Sequence, residues 1–219
     1  MEKQHQVLVK RISFKTILFA ILFILSILIF TILAHEVVGE NEDRFDIKVF
    51  EFVNAHFSDS AIQFFSVISF FGTPMFLIPA YLLMVIYLFM KKHKEDAIDV
   101  AIISLTSTAL LTGLKSIFER SRPDLPLLEE LTNYSFPSGH ALSSFIFCSV
   151  LIYLTWKSDL SRIWKWSILV VLLFLTAIIG ISRIVLRYHF ASDVAAGFCM
   201  GFVWVMLCIW IKQKLRATK

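Results

Sequence analysis

Charge is scarce in this chain, and so are the residues that cross-link or ligate. Only 17% of its 219 residues are charged, and there are three cysteines. Cys148, Cys199 and Cys208 all fall inside apolar runs. They form neither a disulfide framework nor a metal-ligand spacing, and they read as small hydrophobes. In the three short stretches singled out below, Asp193 is the only carboxylate apart from Glu119, which argues against a two-metal centre. The small net charge of +4 is not a nucleic-acid signal, because its distribution has a simpler cause. What is abundant is apolar side chain: 58% of residues are hydrophobic, 22 are Phe, and the mean hydropathy is +0.76. A water-soluble domain of this composition could not cover its apolar surface, so the sequence predicts an integral membrane protein.

The apolar runs divide the chain into six expected spans. Residues 16–34 are almost wholly Ile, Leu, Phe and Ala, and the run is long for a cleaved leader, so it reads as a retained first span. Residues 35–60 carry seven acidic residues among Phe, Ile and Val at near-helical spacing; they predict a short amphipathic helical segment at the membrane surface or packed on the bundle. The next apolar reach, about thirty residues to Met90, is too long for one untilted span. Gly72-Thr73-Pro74 predicts a break, with Thr73 and Pro74 opening a new helix. Further spans are expected over 97–114, 138–156, 166–181 and 193–211. The third has a hydroxyl-rich face (Ser104, Thr106, Ser107, Thr108 and Thr112) suited to packing on neighbouring helices. In the sixth, Ala195, Ala196, Gly197 and Gly201 permit close approach to a neighbour, and the Gly197-x-x-x-Gly201 spacing also allows dimerisation. The expected architecture is all-α: one polytopic membrane unit over residues 1–219, as a monomer or weak dimer.

Six spans place both termini on one side. Fourteen of the 21 Lys and Arg residues fall on that side, and the positive-inside bias makes it cytoplasmic. Lys115, Arg122, His140, Arg183, His189 and Asp193 then all lie on the outer side of the plasma membrane.

Those residues come from three stretches. In the first, Lys115 and Arg122 are seven apart, close to two helical turns, and such a pair of cations can grip phosphoryl oxygens, Arg122 as a bidentate fork. In the second, Ser138 reads as the N-cap of a long helix whose free N–H groups suit an anion. Gly139 allows close backbone approach, and His140 sits in the first turn, placed to donate a proton. The third runs from Ser182 to Asp193. If helix begins near His189, then His189 and Asp193 lie one turn apart on one face, and a carboxylate so placed orients an imidazole and stabilises its charged form. Alone, this stretch also reads as a polar linker between two membrane helices. Spacing by itself supports a phosphate-binding site with a candidate histidine nucleophile, and stops there.

Taken in order, K-x6-R-P from Lys115 to Pro123, P-S-G-H from Pro137 to His140 and S-R-x5-H-x3-D from Ser182 to Asp193 resemble the three-part signature of the type 2 phosphatidic acid phosphatase (PAP2) superfamily. The signature occupies 115–193, and the six-span layout extends the likeness over nearly the whole chain. The resemblance implies that His189 is the nucleophile and becomes a phosphohistidine, that Asp193 orients it, and that His140 is the general acid. It further implies that Lys115, Arg122, Arg183, Ser138 and the Gly139 N–H bind the phosphoryl oxygens, with no metal and no cofactor. The expected partners are the bilayer and a lipid phosphate, with no nucleic acid. Compact six-span members resemble bacterial phosphatases of undecaprenyl pyrophosphate or phosphatidylglycerol phosphate. Outward topology and family precedent favour undecaprenyl pyrophosphate slightly; phosphatidylglycerol phosphate and phosphatidate are the alternatives. A six-span transporter is the rival of another class; it requires charges near the midplane, whereas these gather at one interface.

Overall fold

The structure is a computed structural model and describes residues 14–36, 44–123, 127 and 131–217, with the side chains of Lys15 and Asp59 left aside. The described residues form eight helices: α1 (Phe14–Ala34), α2 (Arg44–His56), α3 (Asp59–Phe70), α4 (Pro74–Met90), α5 (Lys94–Phe118), α6 (Gly139–Lys157), α7 (Arg162–Val185) and α8 (Ala191–Ala217). Six stretches are long and apolar enough to cross a membrane, with α3 and α4 counting as one interrupted reach from Ser60 to Met90.

The interruption lies where Gly72-Thr73-Pro74 predicts it. The N–H groups of Gly72 and Thr73 fold back onto the Ser69 and Phe70 carbonyls, each at 3.0 Å. Thr73 caps α4 by accepting from the Phe76 N–H at 3.3 Å, and Pro74 occupies the first turn, where a missing N–H is harmless. Several other spans run past their apolar segments: α5 reaches Phe118, α7 Val185 and α8 Ala217. At the end of α7 the polar residues Ser182 and Arg183 are held inside the protein.

The centre of the bundle is α6, packed against both α7 and α8. Small residues allow this. A side chain added at Gly197 would place its Cβ 2.7 Å from the Ser138 carbonyl oxygen and 2.9 Å from the Ala141 Cβ, and one at Gly201 would meet Phe145 and the Leu142 carbonyl. The Gly197-x-x-x-Gly201 face is therefore spent inside the chain on α6, which is a correction to the dimerisation reading of that spacing. The hydroxyl-rich face of α5 meets the expectation only in part: Ser107 is buried and Ser104 half-buried. Thr106, Thr108 and Thr112 donate to carbonyls of their own helix, and Thr108 and Thr112 are exposed.

Helix α1 leans on α8 through Phe30, Leu33 and Ala34, which meet Phe136, Ala196 and Cys199. The amphipathic segment is α2. It turns Val53 into a cluster with Phe65, Val185, Leu186 and Tyr188 and leaves Phe45 and Phe52 exposed. The end of the bundle away from the signature residues is tied by ion pairs: Lys157 to Asp96 at 2.5 Å, Lys212 to Asp99, and Arg216 to Glu95 at 2.7 Å. These join the start of α5 to the ends of α6 and α8. Neighbouring spans thus run antiparallel, and the ends of α5 and α7 fall beside the starts of α6 and α8.

Candidate active site

Each signature residue sits at one of those helix ends. Lys115 is in the last turn of α5, and it donates to the Tyr134 carbonyl. The helix stops three residues later because Glu119 takes a left-handed conformation, φ 46°, and returns its N–H to the Lys115 carbonyl. Arg122 is consequently off the helix. The two-turn spacing expected of Lys115 and Arg122 is replaced by a chain reversal, which brings Arg122 over the site from the loop. Its Nε donates to the Asn133 carbonyl at 2.8 Å, its Nη2 to Asn133 Oδ1 at 2.5 Å, and its Nη1 to the Tyr188 carbonyl at 2.5 Å.

Ser138 caps α6, its Oγ accepting from the Ala141 N–H at 3.4 Å. Its own N–H donates to the Asp193 carbonyl at 3.0 Å, which joins the α6 and α8 N-termini. Gly139 opens α6 with Leu111 3.1 Å from where its Cβ would be. His140 follows, and its ring rests on Gly72: a Cβ there would lie 2.8 Å from His140 Cδ2. The break in the second span thus serves as a wall of the site. His140 Nε2 is buried and has no hydrogen-bond partner within the protein.

Arg183 leaves the last turn of α7, donates from Nη1 to Ser69 at 2.6 Å, and stacks on the Tyr188 ring at 4.2 Å. Its Nε is also buried without a partner. An unpartnered guanidinium N–H and an unpartnered imidazole nitrogen at one helix-end cluster suit an anionic ligand. Lys115, Arg122, Arg183, His140 and His189 lie close enough to feel one another's charge.

His189 lies two residues before α8, which begins at Ala191. The four-residue relation to Asp193 survives because the turn is pinned: the N–H groups of Tyr188 and His189 both donate to the Arg183 carbonyl, at 3.0 and 3.1 Å. His189 Nδ1 stands 3.3 Å from Asp193 Oδ2 and 3.3 Å from Ser135 Oγ, while Nε2 faces Arg122 Nη1 at 3.4 Å. A proton on Nδ1 directed at Asp193 leaves the Nε2 lone pair pointing toward the cations. Burial lowers the His189 pKa to about 3 against the opposing pull of Asp193, so the imidazole is neutral, as a nucleophile must be. Asp193 is fully buried. Its Oδ2 accepts from Ser135 Oγ and from the Phe190 N–H, the latter at 3.0 Å, a helix-start contact of the capping-box kind. Among the described residues, no three His, Cys, Asp or Glu side chains are grouped to hold a metal ion.

All eight sequence-predicted residues, His189, His140, Asp193, Lys115, Arg122, Ser138, Gly139 and Arg183, meet at this one end of the bundle. Several others that spacing did not single out join them. Ser69 and Gly72 come from the helix break, Ser135 from the loop, and Arg120 forms ion pairs with both Asp46 and Asp193. One signal for Asp46 was available: it stands at helical spacing with Val49, Phe50 and Val53, a carboxylate on the inward, apolar stripe of α2.

The model of the PAP2 superfamily matches residues 96–217, more than half of the chain. The chain belongs to the PAP2 superfamily. It is 29% identical over 147 residues, 66% of its length, to phosphatidylglycerophosphatase B of Bacillus subtilis (strain 168), covering 72% of that protein. It is 26% identical over 167 residues to YbjG of Escherichia coli (strain K12), provisionally named an undecaprenyl-diphosphatase, covering 74% of this chain and 79% of that one. The crystal structure of a transmembrane PAP2-type phosphatidylglycerolphosphate phosphatase from Bacillus subtilis superposes with a TM-score of 0.80. It shares 25% identity and covers 88% of this chain and 96% of the other. The six-span, all-α bundle is thus the PAP2 bundle, and this PAP2 protein is a multi-pass hydrolase of lipid phosphates in the bacterial plasma membrane.

Proposed function

We propose that this PAP2 protein is a phosphatidylglycerol phosphate phosphatase that works through a phosphohistidine on His189. The observation that carries the reading is His189 itself: buried, neutral, held on Nδ1 by Asp193, with Nε2 turned toward Arg122. In the first step Nε2 attacks phosphorus, the P–O bond to the lipid breaks, and His140 Nε2 delivers a proton to the departing lipid oxygen. Asp193 steadies the imidazolium that forms. Lys115, Arg122, Arg183 and the N-terminus of α6 at Ser138 and Gly139 balance the charge on the three non-bridging oxygens. Water then breaks the P–N bond, frees phosphate and restores His189.

The substrate order reverses the one expected from the sequence. The Bacillus subtilis relative and the Bacillus subtilis crystal structure are both named for phosphatidylglycerol phosphate, so undecaprenyl pyrophosphate becomes the second reading. The likeness to YbjG supports that second reading. Phosphate release in detergent, with EDTA present throughout, tests the choice. The expected result is turnover unaffected by EDTA, with kcat/KM for phosphatidylglycerol phosphate at least about tenfold above that for undecaprenyl pyrophosphate or phosphatidate. That ratio corresponds to about 1.4 kcal/mol of transition-state discrimination. The opposite preference would overturn the assignment in favour of the second reading.

The reading also places the site on the outer face and the termini in the cytoplasm, on the basic-residue bias. A cysteine at the exposed loop residue Thr132 is expected to react with an impermeant thiol reagent in intact cells. Labelling only after permeabilisation would reverse the topology.

A further inference from the structure

Behind Asp193 lies a buried chain of charge. Arg120 Nη1 donates to Asp193 Oδ1 at 2.7 Å and to Ser192 Oγ at 2.9 Å, and its Nη2 donates to Asp46 Oδ2 at 3.0 Å. Asp46 Oδ1 accepts from the Ser192 N–H at 2.9 Å, and Oδ2 from Ser192 Oγ at 2.6 Å. The Arg120 guanidinium lies 3.8 Å over the Phe190 ring, which packs on Phe50 of α2, while its carbonyl accepts from the Ser135 N–H at 2.8 Å. Asp46 is 2% exposed and Arg120 8%. Three charges withdrawn from water are expensive to bury, and packing α2 by its Val53 face alone would not need them.

We propose that Arg120 and Asp46 are positioning residues for the reaction: through them α2 holds the Asp193 carboxylate, and with it the His189 imidazole, in reacting geometry. The inference rests on the reading of His189 as nucleophile. Arg120 occupies Oδ1, so Oδ2 is the oxygen left to face His189, Ser135 and the Phe190 N–H. Without that grip the carboxylate is free to rotate. The signs alternate from Asp46 to Arg120 to Asp193. An unopposed Arg120 would damp the field that Asp193 offers a forming imidazolium; Asp46 offsets part of that charge. Burial alone would lower the Arg120 pKa, yet Asp193 and Asp46 together raise it, so the guanidinium charge is fixed. The other charged or titratable groups facing His189 are Lys115 from α5, Arg122 from the loop, His140 from α6 and Arg183 from α7, with Tyr188 beside it. Those cations sit on the substrate side of the ring, whereas Arg120 and Asp46 approach through Asp193.

The test uses the full-length protein in detergent with dioctanoyl phosphatidate as probe, and compares D46N/R120Q, D46N and His189→Ala. The double variant removes one buried charge of each sign, so a purely structural pair predicts that it keeps wild-type kinetics once folded. The positioning role predicts a folded protein whose kcat falls about tenfold to a hundredfold with KM within about twofold. The acid limb of its kcat/KM profile is expected to move up by about one pH unit. The sign follows from distance: the lost positive charge touches Asp193 and the lost negative charge stands behind it, so His189 gains affinity for a proton. D46N leaves the Arg120–Asp193 contact in place, and its expected fall in kcat is about threefold to tenfold at constant KM. A folded double variant with wild-type kcat and acid limb would overturn the proposal. Should the double variant not fold, D46N decides alone, and wild-type kcat in it overturns the proposal. Turnover by His189→Ala would instead remove the reading beneath it. An inactive His189→Ala beside wild-type kinetics in the other two defeats this inference only.

Discussion

Replacing His189 by alanine is expected to lower turnover of a lipid phosphate by at least about 10⁴-fold while leaving the protein folded and able to bind substrate. The size follows from the role: a missing nucleophile cannot be compensated by the groups around it, because they act as a unit with it. Retained binding follows from geometry. The anion-binding groups come from other elements: Lys115 from the end of α5, Arg122 from a loop anchored on Asn133 and Tyr188, and Arg183 from α7 on Ser69. None of these anchors passes through the His189 ring. The measurement is kcat and equilibrium binding of a short-chain lipid phosphate to wild type and variant, with thermal unfolding as the control for structure. A variant that binds normally and still turns over at a wild-type rate would remove His189 from the chemistry.

Gly197→Val is the second large effect. Its Cβ would arrive 2.7 Å from the Ser138 carbonyl oxygen, which is backbone and cannot rotate aside. The added bulk must push α8 off α6. Overpacking of this kind destabilises by about 1–3 kcal/mol. The displacement is also aimed at the site, because the Ser138 N–H is bonded to the Asp193 carbonyl and Asp193 orients His189. A shift of about 1 Å there costs about a hundredfold in rate. The expected outcome is a lowered Tm together with a loss of kcat larger than the unfolded fraction explains. If the glycine pair instead served an interface between two copies, the variant would dissociate a dimer and keep its activity. Light scattering alongside the assay separates the two results.

Much of this was legible in the sequence, for reasons that can be named. Spans announce themselves because the bilayer demands long apolar runs and backbone satisfied within each helix. The break at Gly72-Thr73-Pro74 was legible because a capping hydroxyl followed by proline specifies a helix start. The gathering of the eight candidate residues at one end of the bundle was legible because they cluster in three short motifs at span ends. What stayed hidden depends on contacts between distant segments. The spacing of Lys115 and Arg122 suggested one helix, yet a left-handed Glu119 ends that helix first. Nothing in the local pattern around Ser69 says that it will meet Arg183 across the bundle. In the sequence Arg120 is one of several basic residues between the third and fourth spans, and Asp46 one of seven acids in 35–60. Only the folded chain brings them onto Asp193. A carboxylate on the inward stripe of α2 was the trace they left.

The central claim is that phosphate is transferred to His189, and trapping the intermediate tests it most directly. The purified PAP2 protein would be mixed with a lipid monophosphate carrying a radiolabelled phosphoryl group and quenched in denaturant at alkaline pH, where a phosphoramidate bond survives. The account predicts label on the wild-type chain, recovered in the peptide that contains His189, stable to base and lost in acid, and absent from His189→Ala. Phosphate released at the normal rate with no labelled protein at any time, or label that persists in His189→Ala, would contradict it.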